Sequence, residues 1–359
     1  MTQWQSQRGG DGSTNIQGEH VKYIERAQYG ISYDDAKSIA MDVYERNITK
    51  FTQIAREVAR ERAEEFTGKL LRDISPEALE ALKDPDVQRG LFFAQQEFAC
   101  SGDDEVGDTL VKLLMERITD SRDGMRRLVL NEALRIAAKL TPDHISLLTC
   151  NFILKYVSFG NVRTVGDISE QLDAALQPFC GDVFNIGQAD IDYLLGTGCL
   201  TGSSGFIQEA MSPGRYMGIN YPGIFSTGFT LDDFPDGHLL LNTPLIEKHP
   251  TADGRYRVCA ISEDDLNSLI SEHDLEGVHQ IAKNALKSRV QPEHVILESI
   301  LECTPHLRPF FRRWKSMGMS SYMSSASAVA IAHANARRIS EGQSPASLDN
   351  WLSPRGEFD

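Results

Sequence analysis

From Ile31 to Thr67 the chain contains no glycine or proline, and its apolar residues recur every three or four positions: Ala36, Ile39, Ala40, Val43, Tyr44, Phe51, Ile54, Ala55, Val58, Ala59, Ala63 and Phe66. That spacing marks one face of a helix. Ser32 followed by Asp35 is a capping-box start with the shorter acid, and Gly68 is the natural stop. Read as a single helix, the stretch is a rod of roughly 50 Å. A helix of that length packs against a partner helix or bridges parts of an assembly. Val43, Phe51 and Val58 are therefore expected to take part in self-association.

The pattern repeats downstream with clear starts. Ser75-Pro76-Glu77, Asp84-Pro85-Asp86 and Thr141-Pro142-Asp143 each read as a cap followed by proline in the first turn. Between them lie "VQRGLFFAQQEFA", "DEVGDTLVKLLMERITD" and "DGMRRLVLNEALRIAAKL", and "HISLLTCNFILKYVSF" follows the last start. All four carry a spaced apolar stripe. Residues 31–158 thus read as an N-terminal helical domain with short connections.

The pattern changes over residues 159–261, where "GTGCLTGSSG", "MSPGRYMGINYPG" and "FPDGH" interrupt it. This middle is expected to be loop-rich. It has room for helices at Asp167–Pro178 and Gln188–Leu195, and for short strands at His238–Leu241 and Tyr256–Ala260. Ser262 then caps a C-terminal helical block over residues 262–340, ending in the Ala- and Ser-rich "SYMSSASAVAIAHANARRIS". Small residues there permit close approach of a neighbouring helix. Residues 341–359 read as a polar, loose tail, and residues 1–30 as a flexible polar leader. The expected fold is mainly α: two helical-bundle blocks flanking a Gly/Pro-rich middle with minor β.

Composition narrows the function classes. The 359 residues are 41% apolar, enough for a full core, and carry a formal net charge of -15. That charge repels phosphate backbones, so nucleic acid is an unlikely partner. No run approaches the ~20 apolar residues that span a bilayer, and the first residues lack a signal-peptide core. The chain reads as cytoplasmic. Cys100, Cys150, Cys180, Cys199, Cys259 and Cys303 include no C-x-x-C pair, which fits buried free thiols in a reducing compartment.

Candidate chemistry is sparse. Gly196–Gly202, "GTGCLTG", lacks the Lys-Ser/Thr end of a phosphate loop and reads as a helix end followed by a loop. Gly202-Ser203-Ser204-Gly205 falls one residue short of a nucleophile elbow. An alternative enzyme reading, hydrolase or nuclease, uses Ser203 or Ser204 with His238 or His249 as base and Asp232, Asp233 or Asp236 as orienter. The acidic run Asp103-Asp104-Glu105 precedes a helix, where negative charge favours the macrodipole over a metal. No metal and no cofactor is expected. Arg308, Phe311, Arg312, Arg313 and Trp314 form the single basic-aromatic patch in an acidic chain. It could touch single-stranded nucleic acid, an anionic membrane or an acidic partner surface, and an acidic face of another subunit fits the net charge best.

The leader poses its own question. "GGDGSTNIQGEHVKYI" alternates in an extended chain, and Asn and Gln form side-chain ladders when identical strands stack. Ser13, Asn15, Ile16 and Gln17 are therefore expected to order when copies meet. Gly10–Gln17 resembles the short G-D-x-S-x-N-I-Q tags at the N-termini of bacterial proteins linked to conflict and signalling. It also has a faint similarity to amyloid-signalling motifs of the RIP-homotypic type, although Ile16-Gln17-Gly18 lacks their second apolar residue. Beyond the leader, "GISYDDAKSIAMDVYERN", "ALKDPDVQRGLFFAQQEFACSGDDEVGDTLVKLLMER" and "NYPGIFSTGF" resemble an uncharacterised bacterial family known by locus tags. The resemblance implies a helical cytosolic bacterial protein with a tie to phage defence, and it assigns no catalytic residue. The expectation for function is a non-enzymatic, self-associating scaffold whose partners are itself and a further protein.

Overall fold

The computed structural model describes residues 32–45, 53–119, 124–202, 212–250, 252–339 and 347–352. These are mainly helical, with two small two-stranded sheets. Helix α1 (Tyr33–Glu45) starts on the expected box: the Asp35 amide donates to Ser32 Oγ at 3.1 Å and the Ser32 amide to Asp35 Oδ2 at 3.3 Å. Helix α2 (Gln53–Asp73) does not extend it. Thr67 Oγ1 lies 3.9 Å from Met41 Sδ, and Arg60 lies 3.8 Å from Glu45. The expected rod is therefore a hairpin. Folding back buries Tyr44 with Ala59, Ala63 and Ala99, apolar surface that a straight rod would leave in water.

The predicted starts are realised in order. Ser75 caps the short α3 (Pro76–Leu79), Asp84 caps α4 (Pro85–Ser101), and Asp103 Oδ1 accepts from the amides of Glu105 and Val106 at the head of α5 (Asp104–Thr119). Helix α6 (Gly124–Ala137) follows. Thr141 and His144 then form a capping box on α7 (Pro142–Tyr156). Every residue from His144 to Lys155 is buried, so α7 is the central helix of the body.

In the middle, α8 (Val165–Leu176) and α9 (Gln188–Gly196) stand close to their expected places, and α10 (Pro213–Asn220) is added. Between α9 and α10 lies β1 (Leu200–Gly202). Strand β2 (Ile246–Lys248) pairs antiparallel with β3 (Tyr256–Val258). The strand expected at His238–Leu241 is instead a 3₁₀ turn over Gly237–Leu240. Gly237 and Leu240, three residues apart, are its buried positions, a spacing that suits a three-residue turn and not a strand.

The C-terminal part supplies α11 (Glu263–His273), α12 (His279–Ser288), α13 (Glu293–Cys303) and α14 (Arg308–Ser316). Strand β4 (Tyr322–Ser324) returns to pair antiparallel with β1, with Gly202 opposite Tyr322. Helix α15 (Ala326–Ile339) packs against α5, α6 and α7, its alanines admitting the close approach. A buried chain of polar groups fixes its register: Thr109 donates to Asn335 Oδ1 at 3.2 Å, and Asn335 Nδ2 donates to Thr149 at 2.9 Å. Finally, α16 (Asp349–Leu352) docks on the body. Leu348 is fully buried, Trp351 Nε1 donates to the Tyr156 carbonyl at 2.7 Å, and the Trp351 ring sits 5.0 Å from that of Phe152. The loose-tail expectation is corrected for residues 347–352, because two apolar side chains suffice to anchor an otherwise polar stretch.

Two main hydrophobic clusters organise the molecule. The larger runs from Ala36 to Leu348 and draws on every helical segment of the body. The smaller joins Phe229, Leu240, Leu245, Val258, Leu266, Ile270 and Leu286 into a lobe. The lobe is tethered by an antiparallel neck: the Thr227 amide donates to the Arg289 carbonyl at 2.6 Å, and the Gln291 amide to the Phe225 carbonyl at 2.9 Å.

Candidate functional site

A cleft of about 930 Å³ separates lobe from body. Its walls are the loop of residues 158–163, the end of α10 with Tyr221 and Gly223, and the chain from Arg257 into the first turn of α11. One close contact closes its base. The Gly223 amide donates to the Ile261 carbonyl at 3.2 Å, and a Cβ on Gly223 would lie 2.0 Å from the Ala260 carbonyl oxygen. The first turn of α11 is already served by Ser262 and carries Glu263, Asp264 and Asp265. Glu263 is held below the ordinary carboxylate range by Lys283 and Lys287.

The enzyme reading placed its residues elsewhere in the middle. Ser203 and Ser204 lie outside the described residues. Asp236 and His238 stand exposed beside the 3₁₀ turn, with no hydrogen bond joining them among the described residues. His249 is engaged on both nitrogens by backbone: Nδ1 accepts from the Ala252 amide at 3.1 Å and Nε2 donates to the Ser226 carbonyl at 3.2 Å. The three are not brought together, and none lines the cleft. Asp104 pairs with Lys69 at 2.9 Å while Asp103 caps α5, as the helix-start reading expected. No group of three metal-ligating side chains occurs among the described residues, and none of their helices is long and apolar enough to cross a membrane. All six cysteines are free, but Cys100, Cys259 and Cys303 are exposed, which corrects the expectation of buried thiols.

The basic-aromatic patch is corrected too. Phe311 and Trp314 on α14 face the core with Phe310, so they are closed to a partner. Arg308 pairs with Glu298 at 2.5 Å, and Arg313 donates to the Ile186 carbonyl. Arg312 remains at the surface. The aromatic residues at 310, 311 and 314 sit three and four apart, and that spacing already marked a buried stripe.

The structure also reveals a polar seam along α7. Lys155 is 5% exposed, and its ammonium donates to the carbonyls of Met319, Ser320 and Tyr322. Burial draws its pKa down to about 8. One turn earlier, Asn151 donates to Ser324 Oγ at 2.7 Å. At the start of the helix, His144 Nε2 lies 3.0 Å from Asp190 Oδ1, and Ser146 donates to Asp182 at 2.7 Å. These groups fasten residues 319–324, the 3₁₀ turn at Asp182 and the start of α9 to the central helix. Sequence reading missed them because polar residues inside an apolar run give no periodic signal.

The α1–α2 hairpin presents the other notable surface. Ala59, Ala63, Phe66 and Leu70 face inward along α2. On the opposite side, at Ile54, Val58, Glu61 and Glu65, the helix faces solvent. Ile54 is 76% exposed and Val58 42%. Val43 on α1 is half-buried. Phe51, like Ser13, Asn15, Ile16 and Gln17, lies outside the described residues. Sequence reading grouped Ile54 with the core stripe. Its offset from the Ala59–Ala63–Phe66 face was the available signal.

No curated protein and no solved structure matches the chain. The model of a family of uncharacterised proteins matches residues 30–352, and the chain belongs to that family.

Proposed function

We propose that this protein is a self-associating interaction protein and that the α1–α2 hairpin is its contact element. The observation that carries this reading is the exposed pair Ile54 and Val58, one turn apart on the side of α2 that faces away from the body. An aliphatic side chain left in water forgoes about 1.5–3 kcal/mol that burial would return. Two such side chains on one helix face form a ready anchor for a second chain. Through its other face α2 packs on α4 and α5 of the body. The test is sedimentation velocity on the full chain and on the Ile54→Asp/Val58→Asp variant. Concentration-dependent assembly in the parent, lost in the variant, supports the reading. A parent that sediments as a monomer throughout overturns it.

A further inference from the structure

If α2 is a contact element, as the self-association reading above has it, another surface must receive it, and the inference rests on that reading. The outward face of α2 is acidic around its apolar pair: Glu57, Glu61, Glu64 and Glu65 are all exposed. Arg60 and Lys69 answer part of that charge, Arg60 pairing with Glu64 at 3.3 Å and Glu45 at 3.8 Å, and Lys69 with Glu65 at 3.4 Å. A two-fold contact of this face with itself would set glutamates against glutamates. The face therefore calls for a surface that is apolar and basic.

Such a surface exists on α6. Leu128 is 59% exposed and Met125 61%, on the side away from the buried Val129, Leu130 and Ala133. Arg127 and Arg135 are exposed beside Leu128. Arg135 lies over the half-buried Phe93 ring of α4, 5.4 Å from its centroid, and its contact with Glu132 is a loose 3.9 Å. Arg89 adds another exposed guanidinium on α4, bonded to Asp86. Apolar residues flanked by Arg127 and Arg135, with Glu132 as the one exposed acid on α6 among them, here match apolar residues flanked mainly by glutamates on α2.

We infer that the chain assembles head to tail: the Ile54–Val58 face of α2 in one copy seats on the Leu128–Arg127–Arg135 face of α6 in the next. The two faces belong to different elements, so a pair of copies still offers one free α2 face and one free α6 face. Such a contact is heterologous and propagates into rings or open chains unless a terminus is blocked. Opposite charge at the rim makes the association weaken as salt is raised.

The test uses two full-length variants, Ile54→Asp and Leu128→Asp, both at exposed positions, with circular dichroism and melting curves verifying that each folds as the parent does. Each variant alone should lose assembly, with association weakened about a hundredfold. Mixed in equal amounts they should form a one-to-one dimer, because one retains an intact α6 face and the other an intact α2 face. Light scattering reads the parent, each variant and the mixture. Loss in Ile54→Asp without loss in Leu128→Asp, or no dimer on mixing, overturns the head-to-tail contact while self-association stands. A parent that stays monomeric overturns self-association itself.

Discussion

His144 Nε2 lies 3.0 Å from Asp190 Oδ1, and this bond ties the first turn of α7 to the first turn of α9. The Thr141 amide donates to His144 Nδ1 at 3.2 Å, which leaves the proton on Nε2 to face the carboxylate. The Gly187 amide first, and His144 second, hold the Asp190 carboxyl below the ordinary carboxylate range. A carboxyl depressed in the folded state contributes stability that is present above its unfolded pKa and lost as pH falls through its folded one. Asp190→Asn should therefore melt below the parent at neutral pH. The gap should close as pH drops through the acid range, which melting curves at a series of pH values would follow.

Lys155 has the opposite chemistry and the same sign. Its pKa is pulled from 10.5 to about 8 by burial, so between those values the unfolded chain holds a proton that the folded one has released. The Lys155 contribution to stability therefore rises with pH across that window and is lost as pH falls through about 8. Lys155→Met should flatten this rise in urea denaturation series. It also leaves three carbonyls without their donor, a loss of about 3 kcal/mol at neutral pH.

Trp351 anchors the end of the described chain to the centre of the body, through the Tyr156 carbonyl and the Phe152 ring. Trp351→Ala should cost about 2–4 kcal/mol in equilibrium denaturation, reduced from a full core truncation because the side chain is half-buried. The same segment is linked to α6 by Asp349 and Arg126 at 2.5 Å, so hydrogen exchange should speed up at the start of α6 as well.

Gly223 sets the closeness of lobe and body. Gly223→Ala places a methyl against the Ala260 carbonyl and must push the lobe outward, at a cost of about 1–3 kcal/mol. Faster hydrogen exchange over residues 257–262, with α7 unchanged, is the expected result.

Much of this architecture was legible in the sequence. The caps at Ser75, Asp84, Thr141 and Ser262 announce their helices because cap chemistry is local. The folding of α2 back onto α1 was not legible, since no glycine or proline interrupts residues 31–67 and only tertiary burial of Tyr44 against Ala63 decides it. Strand β1 finds its partner 122 residues away in Met323, a pairing that no local pattern encodes. The exposed faces of α2 and α6 were hidden for a different reason. Ile54, Met125 and Leu128 look like core residues until the buried side of each helix is known. The apolar stripe of α14 was read as a contact surface although its spacing already favoured burial.

The most direct measurement is the mass of the full chain by light scattering, from low to high micromolar concentration. The account predicts a mass that climbs above the 40.0 kDa of a single chain as concentration rises and falls back when salt is added. A mass fixed at 40.0 kDa across the whole series would contradict it.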